Sequence, residues 1–461
     1  MNQAEMDEEA LRQEREAYPR SMPNDVVTED SAARQFVERF GENLRFCHST
    51  GAWFRWNSRA WAKEQTGIAF HWARELARGI AEDQPATKRV KINSVGFASG
   101  VEKFAKNDPD IAVTVSYWDA DPMRLGTPGG TIDLRQGKLL LPRRNDGITK
   151  LTSVAPAPSG CPQWLKFLDE TTGSDAELIR FLQQWCGYSL TGLTTEHALV
   201  FVYGPGGNGK SVFLNIVAAI LKDYATTSAM DTFTASSSDK HPTDLAMLRG
   251  ARLVTASETE EGRPWAESRI KQMTGGDRIS ARFMRQDFFE FVPQFKLTIV
   301  GNHKPVLRNV DEAARRRFLI VPFERKPDKP DRELERKLLM EAGAILQWMV
   351  DGCLDWQANG LLKPASVLAA TEEYFSDQDV FAHWLAEECV CDPGNVDRSE
   401  TSGKLFKSWR EFAQSAGIGP GTQQSFKDQM LRHKFKFYRT AKAREFLGIS
   451  LLPKASFNGG D

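Results

Sequence analysis

Long apolar runs are missing from this 461-residue sequence, although hydrophobic residues make up 41% of it. No run approaches the roughly 18 consecutive apolar residues from which a membrane span is predicted. The N-terminal stretch MNQAEMDEEALRQERE is charged throughout and therefore does not fit a secretory signal. We expect a cytoplasmic protein without a membrane partner.

Cysteine is scarce too, and its spacing argues against a structural zinc site. The six cysteines are scattered along the chain, and only Cys389 and Cys391 lie close together. A tetrahedral zinc site needs a second pair of ligands, and the sequence offers none beside this pair. Because the net charge is only −1, partners must be inferred from local clusters of charge.

The clearest motif lies in residues 199–221, LVFVYGPGGNGKSVFLNIVAAIL. Its first five residues predict a buried strand, and apolar residues recur at helical spacing after the glycines. Between them, GPGGNGKS fits G-x-x-x-x-G-K-[ST], the P-loop that cradles nucleotide phosphates. Strand, glycine-rich turn and helix occur in the order that this motif requires, so we predict a site for a nucleoside triphosphate.

Each part of the P-loop has an expected role. Backbone N–H groups of the glycine-rich turn surround phosphate oxygens, and the start of the helix adds partial positive charge. Lys210 is expected to reach the β- and γ-phosphates, and the hydroxyl of Ser211 to bind Mg²⁺. The predicted nucleotide-binding residues are Gly204, Pro205, Gly206, Gly207, Asn208, Gly209, Lys210, Ser211 and Val212.

Two later apolar runs predict strands that end in polar residues. Residues 251–257 are followed by Glu258, and residues 295–300 by Gly301 and Asn302. A carboxylate at the end of a strand downstream of a P-loop orients Mg²⁺ or the attacking water. Two further glutamates follow Glu258 closely and are alternatives for this role. Asn302 is a candidate contact to the γ-phosphate or its water.

Arginines stand out at two places in this part of the chain. Arg315, Arg316 and Arg317 immediately precede the apolar run 318–321. Such a run is usually a solvated face, but beside a core strand of an NTPase it is a candidate arginine finger. Alternating residues in ISARFMRQDFFEF predict a hairpin that exposes Arg282 and Arg285, unless they form an ordinary solvated edge.

The C-terminal part of the chain is strongly basic. From residue 404 to residue 454, eleven basic residues oppose three acids, a net charge of +8, with aromatic residues between them. The predicted order helix–helix–helix–strand–strand indicates a winged-helix-like DNA-binding domain, whose expected contacts are Lys434, Lys436 and Arg439. A solvated helical cap is the alternative.

These patterns divide the chain into five segments. A tryptophan cluster at Trp53, Trp56 and Trp61 is interpreted as the core of a small domain rather than a platform for stacking bases. The segments are a polar tail (1–30), an N-terminal α+β domain (31–155), a helical collar (156–198), a P-loop core (199–362) and a basic domain (366–461).

The ordered set of motifs resembles a known family. GPGGNGKS, ASE at 256–258, IKQMTGGDRISARF, GNHKP at 301–305 and RRRFLIVPF are similar to the superfamily III helicase domain of phage and plasmid primases and poxvirus-type primase-helicases. Upstream, GGTIDLRQGKL at 129–139 and GYSLTG at 187–192 also match the family pattern. The resemblance covers about residues 40–455.

This resemblance implies an α/β fold with an AAA+ type core, a ring hexamer, and ATP-driven 3′→5′ translocation on single-stranded DNA. It implies that Lys210 and Ser211 contact phosphate and Mg²⁺, that Glu258 is the second Mg²⁺ or water carboxylate, and that Asn302 is the sensor. It further implies a finger at Arg316 or Arg317 and a DNA-tracking hairpin around Arg282. Ala313 and Ala314 stand where relatives often have a bulky residue, which leaves the register of the finger open.

We therefore expect an ATP-dependent helicase of a phage, prophage or plasmid replication system, acting on single-stranded and forked DNA in the host cytoplasm. No primase domain is expected in this chain, so a separate primase is a candidate partner. An alternative is a P-loop NTPase that loads or remodels a DNA-bound complex without unwinding. A small-molecule kinase lacks support because it has no use for the arginines and the basic domain.

Overall fold

The structure is a computed structural model that describes residues 26–235, 243–257, 264–285, 287–307, 312–327, 329–416, 418–439 and 443–453. Of the predicted polar tail (1–30), residues 1–25 lie outside these ranges. Among the residues described, no helix has the length and apolar content needed to cross a bilayer.

The first unit of the fold has a hydrophobic core of its own, built from residues between Ala32 and Ile111. Trp53 and Trp61 are 8% and 1% exposed, so the interpretation of the tryptophan cluster as core is confirmed for these two residues. Its sheet has the order β3-β2-β1-β4. The elements are α1 (Glu29–Phe40), β1 (Leu44–Cys47), β2 (Ala52–Trp56), β3 (Trp61–Lys63), α2 (Ile68–Glu82), α3 (Ala86–Ile92), α4 (Val95–Ala105) and β4 (Ala112–Val113).

A second small sheet packs on the P-loop core instead. It contains β5 (Arg124–Thr127), β6 (Gly130–Asp133) and β7 (Lys138–Leu140). Met123, Leu125, Ile132 and Leu134 share a hydrophobic cluster with the helix that follows the P-loop. The hydrophobic cluster of the first unit ends at Ile111, and that of the P-loop core begins at Met123.

Two helices then lead to the P-loop strand, α5 (Pro162–Thr172) and α6 (Ala176–Tyr188). Trp164 of α5 stacks on Phe213 at a centroid distance of 5.6 Å, and Trp185 Nε1–H donates to Thr298 Oγ1 at 2.9 Å. The sequence around Ser174 predicts a capping box with Glu177, but this is wrong. Asp175 is the N-cap, and its carboxylate accepts the Leu178 N–H at 3.0 Å.

The central sheet has five parallel strands in the order β14-β8-β13-β10-β9. An antiparallel hairpin, β11 with β12, projects from this region. The elements are β8 (Leu199–Tyr203), α7 (Lys210–Leu221), β9 (Ala225–Thr227), α8 (Thr243–Ala246), β10 (Leu253–Ser257), α9 (Glu267–Gly275), β11 (Ile279–Ala281), β12 (Phe289–Phe291), β13 (Lys296–Gly301), α10 (Glu312–Arg315) and β14 (Phe318–Pro322).

Residues 331–357 carry a helical pattern that predicts one helix, but the structure has two, α11 (Leu334–Leu339) and α12 (Ala342–Asn359). At the break, the carboxylate of Glu341 accepts the N–H groups of Gln163 and Trp164 at 3.1 and 3.0 Å. It thereby satisfies backbone donors at the start of α5, a tertiary role that helical periodicity does not reveal.

The helix α13 (Ala365–Gln378) lies along the outer strand β14, where the Ile320 N–H donates to Thr371 Oγ1 at 3.0 Å. The C-terminal unit has its own core and a sheet in the order β16-β18-β17. The predicted order, three helices and then two strands, missed β15 and β16 after the first helix of this unit and the last strand, β19. The elements are α14 (Val380–Glu388), β15 (Cys389–Cys391), β16 (Ser399–Thr401), α15 (Ser402–Ser415), α16 (Gln423–Arg432), β17 (Lys436–Arg439), β18 (Arg444–Leu447) and β19 (Ile449–Leu451).

Helices α6 and α12 approach so closely that glycine is required at their crossing. A Cβ on Gly187 would lie 2.6 Å from the Met349 carbonyl oxygen and would also overlap the Cys353 backbone nitrogen. We expect Gly187→Ala to lower the free energy of unfolding by about 1–3 kcal/mol, because backbone atoms must separate. Chemical denaturation measures this change.

Gly79→Ala is the matched control, since Gly79 lies on an exposed face of α2 with nothing within 4 Å of an added Cβ. There the better helix propensity of alanine should raise stability by about 0.5–1 kcal/mol. Equal effects of the two substitutions would contradict the close crossing of α6 and α12.

Candidate functional site

The P-loop, residues 204–211, follows the second strand from one side of the central sheet. Strand β8 lies between β13 and β14, with Tyr203 opposite Gly301 on one side and Pro322 on the other. Because all three strands are parallel, the residues that follow them meet at one edge of the sheet, here called the P-loop edge. Asn302, immediately after β13, thus lies at the same edge of the sheet as the P-loop.

The turn of the P-loop depends on glycine at its end. Gly209 has a φ of +89°, a left-handed conformation that side chains rarely adopt. A Cβ there would also lie 2.8 Å from both Phe167 Cε2 and Thr171 Cγ2 of α5. Helix α5 therefore supports the P-loop from behind while α7 begins at Lys210.

Lys210 is held inside the loop by oxygen atoms. Its Nζ donates to the carbonyls of Gly204 and Pro205 at 2.6 and 2.9 Å and to Asn208 Oδ1 at 2.9 Å. Asn208 Nδ2 in turn donates to the Phe323 carbonyl, which fixes the loop to the segment after β14. Burial, and then the nearby charge of Lys326, lower the pKa of Lys210.

The side chain directly after Lys210 faces outward, while Phe213 and Leu214 further along α7 are buried. Ser211 is exposed in the first turn of α7, and the backbone N–H groups of that turn have no partner within the helix. An exposed hydroxyl beside exposed Pro205, Gly206 and Gly207 fits the donor set of a phosphate and Mg²⁺ site. Glu258, the predicted second carboxylate, lies outside the described residues, which end on this strand at Ser257.

Several cations near the P-loop were missed by the sequence analysis. Lys304 Nζ lies 4.6 Å from the ring centroid of Tyr203, the last residue of β8. Arg325 packs over Gly173, where an added Cβ would lie 2.7 Å from its Cζ, and Lys326 acts on the pKa of Lys210. Lys304 lies in the quoted GNHKP segment without an assigned role, and Arg325 and Lys326 belong to no quoted motif, but all three follow closely after the ends of β13 and β14.

The three arginines before β14 differ in their surroundings. Arg315 Nη1 donates to both carboxylate oxygens of Glu372 at 2.9 Å, and its guanidinium lies 5.2 Å from the Phe375 ring centroid. Arg317 Nη1 donates to the Ala313 carbonyl at 2.9 Å. Arg316 has an exposed side chain. Of the three, Arg316 is thus the arginine directed toward the surface.

The predicted hairpin is present, and its tip combines cations with exposed apolar side chains. Arg282 and Arg285 are exposed, and Met284 and Phe288 are 67% and 60% exposed. The Arg282 guanidinium lies 4.7 Å from the Phe288 ring centroid. Phe283 stacks on Phe289 with centroids 5.6 Å apart, which anchors the tip to the hairpin strands.

The predicted C-terminal contacts lie together on one ribbon. Lys434, Lys436 and Arg439 are all exposed at the end of α16 and along β17. Tyr438 beside them is 55% exposed. In the described part of the chain, no three histidine, cysteine or acidic side chains converge on a metal-binding group.

Two family descriptions match parts of the chain. Residues 33–173 match the family described as "D5 N terminal like", and residues 202–317 match a family of unknown function, DUF5906. The first match spans the N-terminal unit, the small second sheet and α5. The second spans the P-loop, the hairpin and the arginines before β14.

Viral proteins are similar to slightly more than half of the chain. "Putative helicase 022R" of Frog virus 3 (isolate Goorha) is 25% identical over 55% of this chain and 28% of its own length. "Putative helicase L207/L206" of Acanthamoeba polyphaga mimivirus is 25% identical over 54% of this chain and 28% of its own length. The chain is therefore similar to viral proteins named as putative helicases and, in its N-terminal part, to the D5 N terminal like family.

The chain spans little more than a quarter of the length of these curated relatives. Its overall fold is similar to that of a solved structure, "The apo structure of NrS-1 C terminal region (305-718)", with a TM-score of 0.51. That likeness covers 92% of this chain and 100% of the other, at 11% sequence identity. This likeness supports the mixed α/β fold of the chain.

Proposed function

We propose that this chain is an ATP-dependent DNA helicase of a phage, prophage or plasmid replication system, translocating 3′→5′ on single-stranded DNA as a ring hexamer. The observation that carries the proposal is the P-loop edge. It combines a P-loop of defined conformation with Asn302 on the neighbouring strand in a chain whose relatives are named as helicases.

The arrangement suits phosphoryl transfer to water. Lys210 is held by three oxygens, and a bound phosphate would replace these acceptors with stronger, charged ones. Asn302 is proposed to contact the terminal phosphate or its water, and Ser211 and Glu258 are the proposed Mg²⁺ ligands. The metal would supply charge neutralisation across the phosphates. The core proposed here is of the AAA+ type.

The DNA contacts are proposed at two surfaces. Arg282 and Arg285 sit on a hairpin tip with exposed Phe288, and a cation beside an aromatic ring suits the backbone and bases of a single strand. Lys434, Lys436 and Arg439 belong to a domain whose order α14, β16, α15, α16, β17, β18 supports the winged-helix-like proposal. A homo-oligomer is proposed because Arg316 points to the surface.

The first prediction tests nucleotide hydrolysis. Lys210→Ala should abolish ATPase activity in the presence of single-stranded DNA, because no other group replaces its charge at the phosphates. Lys166→Ala, on an exposed part of α5 with its side chain 76% exposed, is the control and should keep activity. Turnover by a folded Lys210→Ala protein would refute the P-loop assignment.

A second prediction tests how hydrolysis is coupled to DNA. Arg282→Ala should keep basal ATPase but lose unwinding of a forked duplex, since the hairpin tip and not the P-loop edge is changed. Arg278→Ala is the matched control because Arg278 pairs with Glu290 at the hairpin base, 3.9 Å away. Normal unwinding by Arg282→Ala, Arg285→Ala and the double variant would exclude the hairpin. ATPase activity without any unwinding by the unmodified protein would instead favour a loading or remodelling NTPase.

A third prediction concerns the finger, which should act on a neighbouring subunit. Arg316→Ala should lower kcat by about 10³-fold or more, the typical effect of losing such an arginine. Mixing it with Lys210→Ala should restore part of the activity, because some interfaces then pair an intact P-loop with an intact Arg316. Arg317→Ala run in parallel decides the register. If mass measurements show mixed rings that remain inactive, the arginines do not act in trans.

A further inference from the structure

A buried tyrosine on α13 connects two loops that border the P-loop edge. The Tyr374 hydroxyl accepts a hydrogen bond from Trp265 Nε1–H at 2.9 Å and donates one to the Pro305 carbonyl. Tyr374 and Trp265 are 1% and 2% exposed. Both bonds are therefore shielded from water, where loss of a partner is most costly.

One of these loops is close in sequence to Asn302, and the other packs on the P-loop strand. Pro305 follows Asn302 by three residues, and Trp265 packs edge-on against Phe201 of the P-loop strand, with centroids 5.9 Å apart. The loops also touch each other, because the Trp265 N–H donates to the Val306 carbonyl at 2.9 Å. Tyr374 thus ties the segment after β13 to a ring packed on β8.

Two other side chains of α13 also bind segments that border the candidate site. Gln378 Oε1 accepts the Leu307 N–H at 3.2 Å, two residues beyond Pro305. Glu372 holds Arg315 through both carboxylate oxygens, immediately before Arg316. One helix, packed on the outer strand, therefore holds both the Asn302 segment and the arginine segment.

We propose that Tyr374 is a positioning residue for ATP hydrolysis, which sets the place of Asn302 relative to the P-loop through the Pro305 carbonyl. This inference rests on the proposed function, since it assigns Tyr374 to the same reaction. Tyr374 acts at a distance from the nucleotide, so it should govern the rate of the chemical step and leave nucleotide affinity largely unchanged.

The chain offers a matched control in Tyr224. It is also 1% exposed, and its hydroxyl also bridges two groups, accepting the Gly126 N–H and donating to the Lys150 carbonyl, each at 2.9 Å. Tyr224 precedes β9 and is bound to the small second sheet, away from the P-loop edge. Phenylalanine at either position removes one hydroxyl with two buried hydrogen bonds.

The experiment compares Tyr374→Phe and Tyr224→Phe in the full chain. We expect Tyr374→Phe to lower kcat for ATP by roughly ten- to a hundredfold, as displacement of a catalytic group by about an ångström does, with nucleotide Kd changed by less than about twofold. Tyr224→Phe should shift the thermal midpoint by a similar amount while kcat stays unchanged. Kd is measured with a fluorescent ATP analogue.

The measured kcat and Kd of the two variants decide whether Tyr374 is a positioning residue. Equal kcat for the two variants and the unmodified protein would overturn it and leave Tyr374 a structural residue. A loss of affinity without a loss of kcat would also overturn it. If the unmodified protein hydrolyses ATP and Lys210→Ala does not, such a failure leaves the proposed function standing; if the unmodified protein is inactive, the proposed function itself fails.

A second variant covers the case in which Tyr374→Phe does not fold. Gln378→Ala removes the bond to the Leu307 N–H from a half-buried position and should lower kcat severalfold by the same route. An unchanged kcat in this variant would then contradict the role of α13.

Discussion

Parallel pairing of β8 with β13 and β14 is the constraint on which the candidate site depends. Five residue pairs on each side fix the register, from Leu199 opposite Leu297 and Phe318 to Tyr203 opposite Gly301 and Pro322. A slip of one residue would turn each buried side chain to the other face. The P-loop, Asn302 and the segment after β14 meet only because these three strands end at one level.

The strands of this sheet were the most predictable part of the fold, for a physical reason. A strand covered on both faces needs a continuous apolar run, and the sequence shows such runs at β8, β10, β13 and β14. The P-loop strand was predicted with its bounds, and the others to within two residues. Polar residues directly after these runs identified Asn302, and with it the P-loop edge.

What the sequence did not reveal depends on contacts between distant residues. The helical pattern of 331–357 gave no sign that Glu341 would leave the helix to accept backbone donors of α5. The sequence alone did not distinguish the three adjacent arginines. In the structure, Arg315 donates to the carboxylate of Glu372, which lies fifty-seven positions later in the chain. No role was predicted for Lys304 or Lys326, since only the fold brings them near Tyr203 and Lys210.

Two buried cations hold the opposite end of the same sheet. Arg252 donates to the carbonyls of Leu190 and Arg124, and Lys296 donates to those of Thr191, Leu193 and Gln294. Burial lowers the pKa of Lys296 well below its usual range. These bonds fasten the turn before β8 and the small second sheet to the starts of β10 and β13.

Helix α13, which holds segments bordering the P-loop edge, continues almost directly into the first helix of the C-terminal unit. It ends at Gln378, and after Asp379 alone α14 begins, with the Asp379 carboxylate accepting the Ala382 N–H at 3.0 Å. A junction of one capping residue leaves little freedom between the two helices. Tyr374 and Gln378, one turn of helix apart, both hold the segment after Asn302. The same helix that packs on β14 therefore links the position of the C-terminal unit to the segment that borders the P-loop edge.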